Sequence, residues 1–544
     1  MAFALDSGSR LRLFLPVALA LALAPSASAA GLVKTPPFLA TTPPNLAEAR
    51  YTLLQVDGRP DELPSFAVRA AGATLVSRSL DVWRVRRDLA LRLVPALRRG
   101  GALQVAEPDR RLQTFSHLSA GDPLIPQEWW LHDVGADAAE PPGPGVAVTV
   151  LDTGLDTSHP EFLGRPNVLL LNGQSVVTNE EIHGTAVSSV VGAPSNGIGL
   201  VGVYPQARLR EFDFDEALLS DVIAGFDAAA RHGRSVINIS GGFFGSTSAL
   251  LERAVDRAIV ADSVVVAAVG NDRGNGSRLA IPASLPHVLT IAATDEADRV
   301  TSFSSRSAAL DLAAPGQDIP VAVPTYYDPS GYATFDGTSF SSPLVAGATA
   351  WVWTARPELD NTQILDVMRG SARDVASAGW DRDTGFGVLD IPAALAAPAP
   401  PADPDEPNDD VYLVKPRGLT AAGGTPLTAP SRPEGTLRAR LDYSEDPEDV
   451  YRVWLPARGT VVVRVKGSTN VDLAVWGPKT RTVFEKNAAL RRDLLGYSQR
   501  RGTSVDVVKV TRRGRRGAYG YVDVFLGTRV PDSSYTLSVS TARR

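Results

Sequence analysis

Between residues 119 and 398, short apolar runs alternate with stretches of helical period, and this alternation restricts the fold more than any other feature of the chain. Residues 146–151, 236–240, 264–269 and 288–292 are runs dominated by valine, isoleucine, leucine and alanine, as expected of strands buried on both faces. Between them, 221–232 places Val222, Ile223, Phe226 and Ala229 on one helical face, and 249–260 reads as a second helix. Residues 342–354 read as a long apolar helix with Pro343 in its first turn, where the missing N–H is harmless. The predicted class is α/β, a mainly parallel sheet with helices on both faces. Reactive groups in such sheets collect at the carboxyl ends of the strands, and Asp152, Ser240 and Asn271 fall there.

Three motifs occupy these positions in order: Asp152-Thr153-Gly154, His183-Gly184-Thr185 and Gly337-Thr338-Ser339-Phe340-Ser341-Ser342-Pro343. A serine hydroxyl is a poor nucleophile until a histidine takes its proton, and that histidine needs a carboxylate to fix its tautomer. The order Asp, His, Ser and the wording of the motifs resemble the subtilisin-like serine proteases (subtilases), over roughly residues 119–398. The resemblance implies a serine endopeptidase with Asp152, His183 and Ser339 as triad. It implies that Asn271, closing Ala267-Ala268-Val269-Gly270-Asn271, stabilises the oxyanion. Ser240, Gly241 and Gly242 resemble the segment that pairs with extended substrate. Ala280-Ile281-Pro282-Ala283 resembles the strand at the base of the pocket for the residue before the scissile bond, and Ala280, where some relatives have glycine, implies small-to-medium apolar side chains. Asp272 at its rim leaves a basic residue as the alternative. One departure is Ala186, where many relatives carry a second histidine. Relatives also wrap a structural calcium ion in a loop, and here Asp122, Glu161 and Asn196 are the corresponding oxygen ligands. No organic cofactor is expected.

The ends of the chain read differently. Arg10 and Arg12 precede the apolar run 13–24 and Ala27-Ser28-Ala29, the pattern of a secretory signal over residues 1–29. No later run is long enough to span a membrane, so the mature protein is expected to be secreted, without an anchor, and monomeric. Residues 30–118 show a small α/β pattern that resembles the inhibitory propeptide of subtilases, with processing expected between Asp109 and Gly121. Residues 399–404 form a Pro/Ala linker. Residues 405–544 carry short strands at 450–455, 459–465, 471–476, 519–526 and 535–540 without a helix between them, and read as a β-sandwich. The opening Asp405-Glu406-Pro407-Asn408-Asp409, with Asp446–Tyr451 and Val471-Asp472-Leu473, resembles β-domains appended to secreted bacterial peptidases, and the acidic run 403–410 reads as solvated linker, with binding of a further ion as the alternative.

The chain has no cysteine, which removes disulfides and thiolate metal sites. Its net charge of −6 conceals a partition: residues 119–398 carry 15 arginines, no lysine and 34 carboxylates, between two basic ends. The basic residues form no dense stripe, so the expected partners are peptide substrates and the chain's own propeptide, not nucleic acid. Three rivals were weighed. Asp-Thr-Gly also occurs at 383–385, but an aspartic protease needs each such aspartate on an apolar strand, and Asp383 follows Asp381-Arg382. A catalytically silent binding protein on this fold would be expected to have lost a triad member, and none is lost. Acyl transfer to an amine uses the same triad, and a secreted protein with a propeptide favours hydrolysis.

Overall fold

The computed structural model describes residues 51–56, 68–77, 82–108, 122–175, 181–214, 216–244, 248–278, 280–403, 405–416, 419, 424–443, 445–484, 487–527 and 532–543. The secretory signal and the processing window from Asp109 to Gly121 lie outside the described residues. The chain divides into two compact units, at residue 115.

In the first unit, strands β1 (Tyr51–Val56), β2 (Thr74–Ser77), β3 (Val82–Arg86) and β4 (Leu103–Pro108) form an antiparallel sheet of order β2-β3-β1-β4. Helix α1 (Arg87–Arg99) buries Ala90, Leu93, Val94 and Leu97, a helical stripe that packs with Leu54, Val56, Trp83 and Val85 of the sheet. Asp88 in its first turn and Arg98 and Arg99 in its last suit the helix dipole.

The second unit opens with the strands β5 (Ala147–Asp152), β6 (Val168–Leu170), β7 (Arg208–Asp213), β8 (Ser235–Ile239), β9 (Phe243–Phe244), β10 (Ser263–Ala268), β11 (Ala280–Ile281), β12 (Val288–Thr294) and β13 (Leu312–Pro315). Seven of them make one parallel sheet of order β13-β12-β10-β8-β5-β7-β6, and β9 pairs antiparallel with β11. The longer helices are α2 (His183–Gly192), α3 (Leu219–Arg231), α4 (Ala249–Val260), α5 (Thr338–Ala355) and α6 (Asn361–Gly370).

The apolar strand runs split by side-chain alternation. Val148, Val150, Val264, Val266, Leu289 and Ile291 enter a core with α2, α5 and α6. Leu151, Ile237, Ile239, Val265 and Ala267 enter a second core with α3 and α4. The sheet is thus covered on both faces, as the alternation of elements implies. One expectation is corrected: α5 begins at Thr338, so Pro343 sits in its second turn and not its first. A hairpin of β14 (Ile319–Ala322) and β15 (Tyr332–Phe335) lies between sheet and α5 in sequence.

The C-terminal strands are β16 (Glu434–Asp442), β17 (Glu448–Leu455), β18 (Gly459–Gly467), β19 (Val471–Trp476), β20 (Leu494–Ser498), β21 (Asp506–Thr511), β22 (Ala518–Leu526) and β23 (Asp532–Arg543). They form two antiparallel sheets, β16-β23-β18-β21 and β17-β22-β19-β20, around Val453, Val461, Val463, Leu473, Val522 and Leu537. This is the expected sandwich, with three further strands, β16, β20 and β21. A short helix, Asn487–Asp493, stands where none was anticipated. The acidic run is not a solvated linker: Asn408 and Asp410 are buried, and Val450 N–H donates to Asn408 Oδ1 at 3.0 Å. Among the described residues no helix is long and apolar enough to cross a membrane.

Candidate active site

Asp152 is the last residue of β5, and His183 is the first of α2. A Cβ on Gly184 would stand 2.3 Å from the Gly154 carbonyl oxygen, so only glycine lets the helix rest on the aspartate loop. Thr153 Oγ1 accepts from Gly184 N–H at 3.1 Å and fixes the same contact. His183 Nδ1 then lies 2.8 and 3.0 Å from the two oxygens of Asp152. The carboxylate can only accept, so Nδ1 carries the proton and Nε2 keeps the lone pair. Asp152 is 5% exposed at its side chain and His183 37%, so the acid is sealed while the imidazole stays accessible. Burial opposes the imidazolium, but the Asp152 charge and hydrogen bond outweigh it, and His183 titrates above its ordinary 6.5.

Ser339 is the second residue of α5, where unpaired N–H groups and the helix dipole favour negative charge. The ring of Phe340 lies 6.0 Å from that of His183, centre to centre. Ser339 Oγ donates to the Ser240 carbonyl at 3.1 Å, and no hydrogen bond joins it to His183 among the described residues. Pro343 has no N–H to give the Ser339 carbonyl, four residues back, and Ser240 Oγ takes that acceptor at 2.9 Å. Asn238 Nδ2 donates to Ser240 Oγ at 3.0 Å, and Ser342 Oγ donates to Asn238 Oδ1 at 2.7 Å. A largely buried polar chain thereby ties the end of β8 to the start of α5. An asparagine inside the otherwise apolar run 236–239 was the sequence signal for it.

Asn271 follows β10 through Gly270, whose φ of +99° favours glycine. Thr338 N–H and Thr338 Oγ1 both donate to Asn271 Oδ1, at 3.0 and 2.9 Å. The amide is therefore fixed with its Nδ2 turned away from these donors, and that nitrogen has no hydrogen-bond partner among the described residues. The motif names Thr338, but its orienting role depends on Asn271, 67 residues away in sequence.

Gly241 and Gly242 are exposed and outside any strand, with open space where Gly241 would carry a Cβ. Ala280 is buried and opposes Phe244 in the β9–β11 pair. The Phe244 ring would lie 3.2 Å from a Cβ on Gly270, and the Arg278 guanidinium stacks 4.9 Å from its centre. Arg278 also grips Asp272 through Nε at 2.7 Å and Nη2 at 3.1 Å, and Asn275 adds a third donor. The hydrogen bonds from Arg278 and Asn275 hold the Asp272 carboxyl well below the usual range.

Asp122, Glu161 and Asn196 do converge, on the loop 195–200. Asp122 Oδ1 accepts from the N–H groups of Asn196 and Gly197, and Oδ2 from Ser195 Oγ. Glu161 Oε1 accepts from Leu200 N–H and Tyr332 Oη, and Oε2 from Asn196 Nδ2. Asn196 Oδ1 is held by Ile198 N–H at 2.9 Å. The three expected calcium ligands therefore share one hydrogen-bonded loop, with both carboxylates turned towards it. Burial pushes the Glu161 carboxyl up to about 7. The buried Glu128, which takes Val201 N–H at 3.1 Å, belongs to the same region and was not anticipated.

A carboxylate-held imidazole and a serine at a helix start, both on a doubly covered parallel sheet, define a serine-hydrolase architecture. Residues 143–387 match the model of the subtilase family, Peptidase_S8. Subtilisin BL of Lederbergia lenta is 35% identical over 273 residues, covering 49% of this chain and 97% of that protein. The alkaline protease of Alkalihalobacillus alcalophilus is 34% identical over 308 residues, covering 55% of this chain and 76% of that protein. The crystal structure of fervidolysin from Fervidobacterium pennivorans, a keratinolytic enzyme related to subtilisin, covers 84% of this chain and 68% of its own, at 22% identity and a TM-score of 0.47. The chain belongs to the subtilase family and is a serine endopeptidase.

Proposed function

We propose that this chain is a secreted endopeptidase, made as a self-processed precursor, with Asp152, His183 and Ser339 as its triad. The observation that carries the reading is the double hydrogen bond from His183 Nδ1 to Asp152, with Nε2 left as the free base. Ser339 Oγ leaves the Ser240 carbonyl, passes its proton to His183 Nε2 and attacks the peptide carbonyl. Asp152 stabilises the imidazolium. Ser339 N–H and Asn271 Nδ2 receive the oxyanion, the latter already oriented by Thr338. His183 returns the proton to the leaving amine, and a water molecule, deprotonated by the same nitrogen, hydrolyses the acyl-enzyme.

Substrate backbone runs along Ser240-Gly241-Gly242, where exposed glycines permit close approach of an added strand. The pocket above Ala280 takes small-to-medium apolar side chains. Asp272 does not favour a basic one, because Arg278 already neutralises it. Residues 30–118 act as propeptide and inhibitor until cleavage between Asp109 and Gly121. The test is casein hydrolysis with gel mobility for wild type and Ser339→Ala, both expressed with the full propeptide. Activity and a size drop in wild type alone are expected. If both proteins stay full-length and inert, the reading fails in favour of a silent binding protein.

A further inference from the structure

Acidic side chains from two segments of the C-terminal region meet a catalytic-domain histidine inside the second unit. Glu406 and Asp409 come from the run that precedes the sandwich, Asp446 and Asp449 from the entry to β17, and His287 from the segment before β12. One carboxylate oxygen from each of Glu406, Asp446 and Asp449 lies within 4.8 Å of the other two. The Glu406 side chain is 3% exposed and Asp449 is fully buried. Among the described residues, Glu406 Oε1 and Asp446 Oδ1 are buried without a hydrogen-bond partner, while Glu406 Oε2 accepts from Asn408 N–H at 3.3 Å. Among the described residues no arginine or lysine forms an ion pair with Glu406, Asp446 or Asp449.

Each isolated buried carboxylate costs several kcal/mol, and three sharing one pocket repel each other as well. The cluster therefore needs a positive charge. His287 does not supply it at the centre, because its Nε2 is directed to Asp409 at 3.0 Å and stands 3.6 Å from Glu406. The converging atoms are all hard oxygens, the donor type of calcium. Tyr451 and Tyr535 each donate a hydroxyl to Asp449, at 3.1 and 2.5 Å, and so hold a ligand in place from outside. A cavity of about 600 Å³, lined by Glu406 and Asp446 and also by Arg369, Arg438, Arg440 and Lys466, reaches two of the three carboxylates. At the loop 195–200 every such oxygen already has a donor; here two do not.

We propose that Glu406, Asp446 and Asp449 bind a divalent cation of the calcium type, which sets the 406–409 segment in the shape on which His287 docks. The site binds calcium independently of catalysis, so it is tested in full-length Ser339→Ala protein freed of metal with chelator. Calorimetric titration with calcium chloride, paired with melting curves in calcium and in chelator, is expected to give one bound ion and a melting point several degrees higher. Asp446→Asn combined with Asp449→Asn abolishes both effects, and Glu161→Gln leaves both in place.

Should the double variant fail to fold, terbium replaces it as probe on the unsubstituted carboxylates. Tyr451 and Tyr535 sensitise its luminescence, calcium quenches it by displacement, and Tyr535→Phe weakens it. The proposal is overturned if no calcium binds, if zinc binds in preference, or if binding survives the double variant but disappears in Glu161→Gln.

Discussion

Thr338→Val isolates the orientation of the oxyanion donor from its presence. Thr338 is 1% exposed, and valine replaces its hydroxyl with a methyl of nearly the same shape. The substitution removes the 2.9 Å bond to Asn271 Oδ1 and keeps the 3.0 Å bond from the backbone N–H. A neutral hydrogen bond contributes about 1 kcal/mol net. If that energy serves to hold the Asn271 amide towards the oxyanion, kcat falls about fivefold, since about 1.4 kcal/mol corresponds to tenfold. KM stays unchanged, because the oxyanion exists only in the transition state. Complete removal, Asn271→Ala, is expected to cost about 10²–10³-fold, a magnitude taken from subtilisin itself. The assay is steady-state hydrolysis of a peptide anilide by both single variants and the double variant. In the Asn271→Ala background Thr338→Val should have no effect on kcat, because the amide it orients is gone. An equal fivefold loss in both backgrounds refutes the orienting role, as does a rise in KM at constant kcat.

Activity should rise with pH through an acid limb above 6.5, because His183 must be neutral to accept the serine proton and Asp152 raises its pKa. Asp152→Asn should move that limb down and lower the plateau by about 10⁴-fold, and a kcat/KM profile with an unmoved limb would contradict the assignment. The same pair contributes stability that is fully present below about pH 6.5 and lost as pH rises through the folded-state pKa, which denaturant titration of Ser339→Ala would follow. Arg369→Met should destabilise the second unit by about 3–5 kcal/mol. Arg369 is 5% exposed, pairs with the fully buried Asp311 at 3.2 Å and with Asp442 of β16 at 3.2 Å, and its removal leaves both carboxylates without that cation. Urea unfolding showing a loss below about 1 kcal/mol would mean that the cluster is neutralised by protons instead.

Much of the catalytic unit was legible because its signals are local. The apolar runs of β5, β8, β10 and β12 are recognisable without knowing their partners, and each motif is a short run of neighbouring residues. What escaped depends on partners distant in sequence. Thr338 reads as motif punctuation until Asn271 arrives 67 residues upstream, and Asp272 reads as a free pocket charge until Arg278 turns back onto it. Strands β16 and β21 were missed because one face meets solvent, so Arg438, Arg440 and Lys509 interrupt their apolar residues.

The two acidic sites show the same limit in opposite directions. Asp122, Glu161 and Asn196 form the more familiar ligand pattern, and in the folded loop N–H and O–H donors already meet their oxygens. Glu406 resembles a solvated charge in a linker, yet folding buries it with Asp446 and Asp449 and leaves oxygens unanswered among the described residues. Residue type sets which atoms can bind a cation. Whether they must is decided by how many donors the fold leaves beside them, and that count exists only once β17 and the segment before the sandwich have come together.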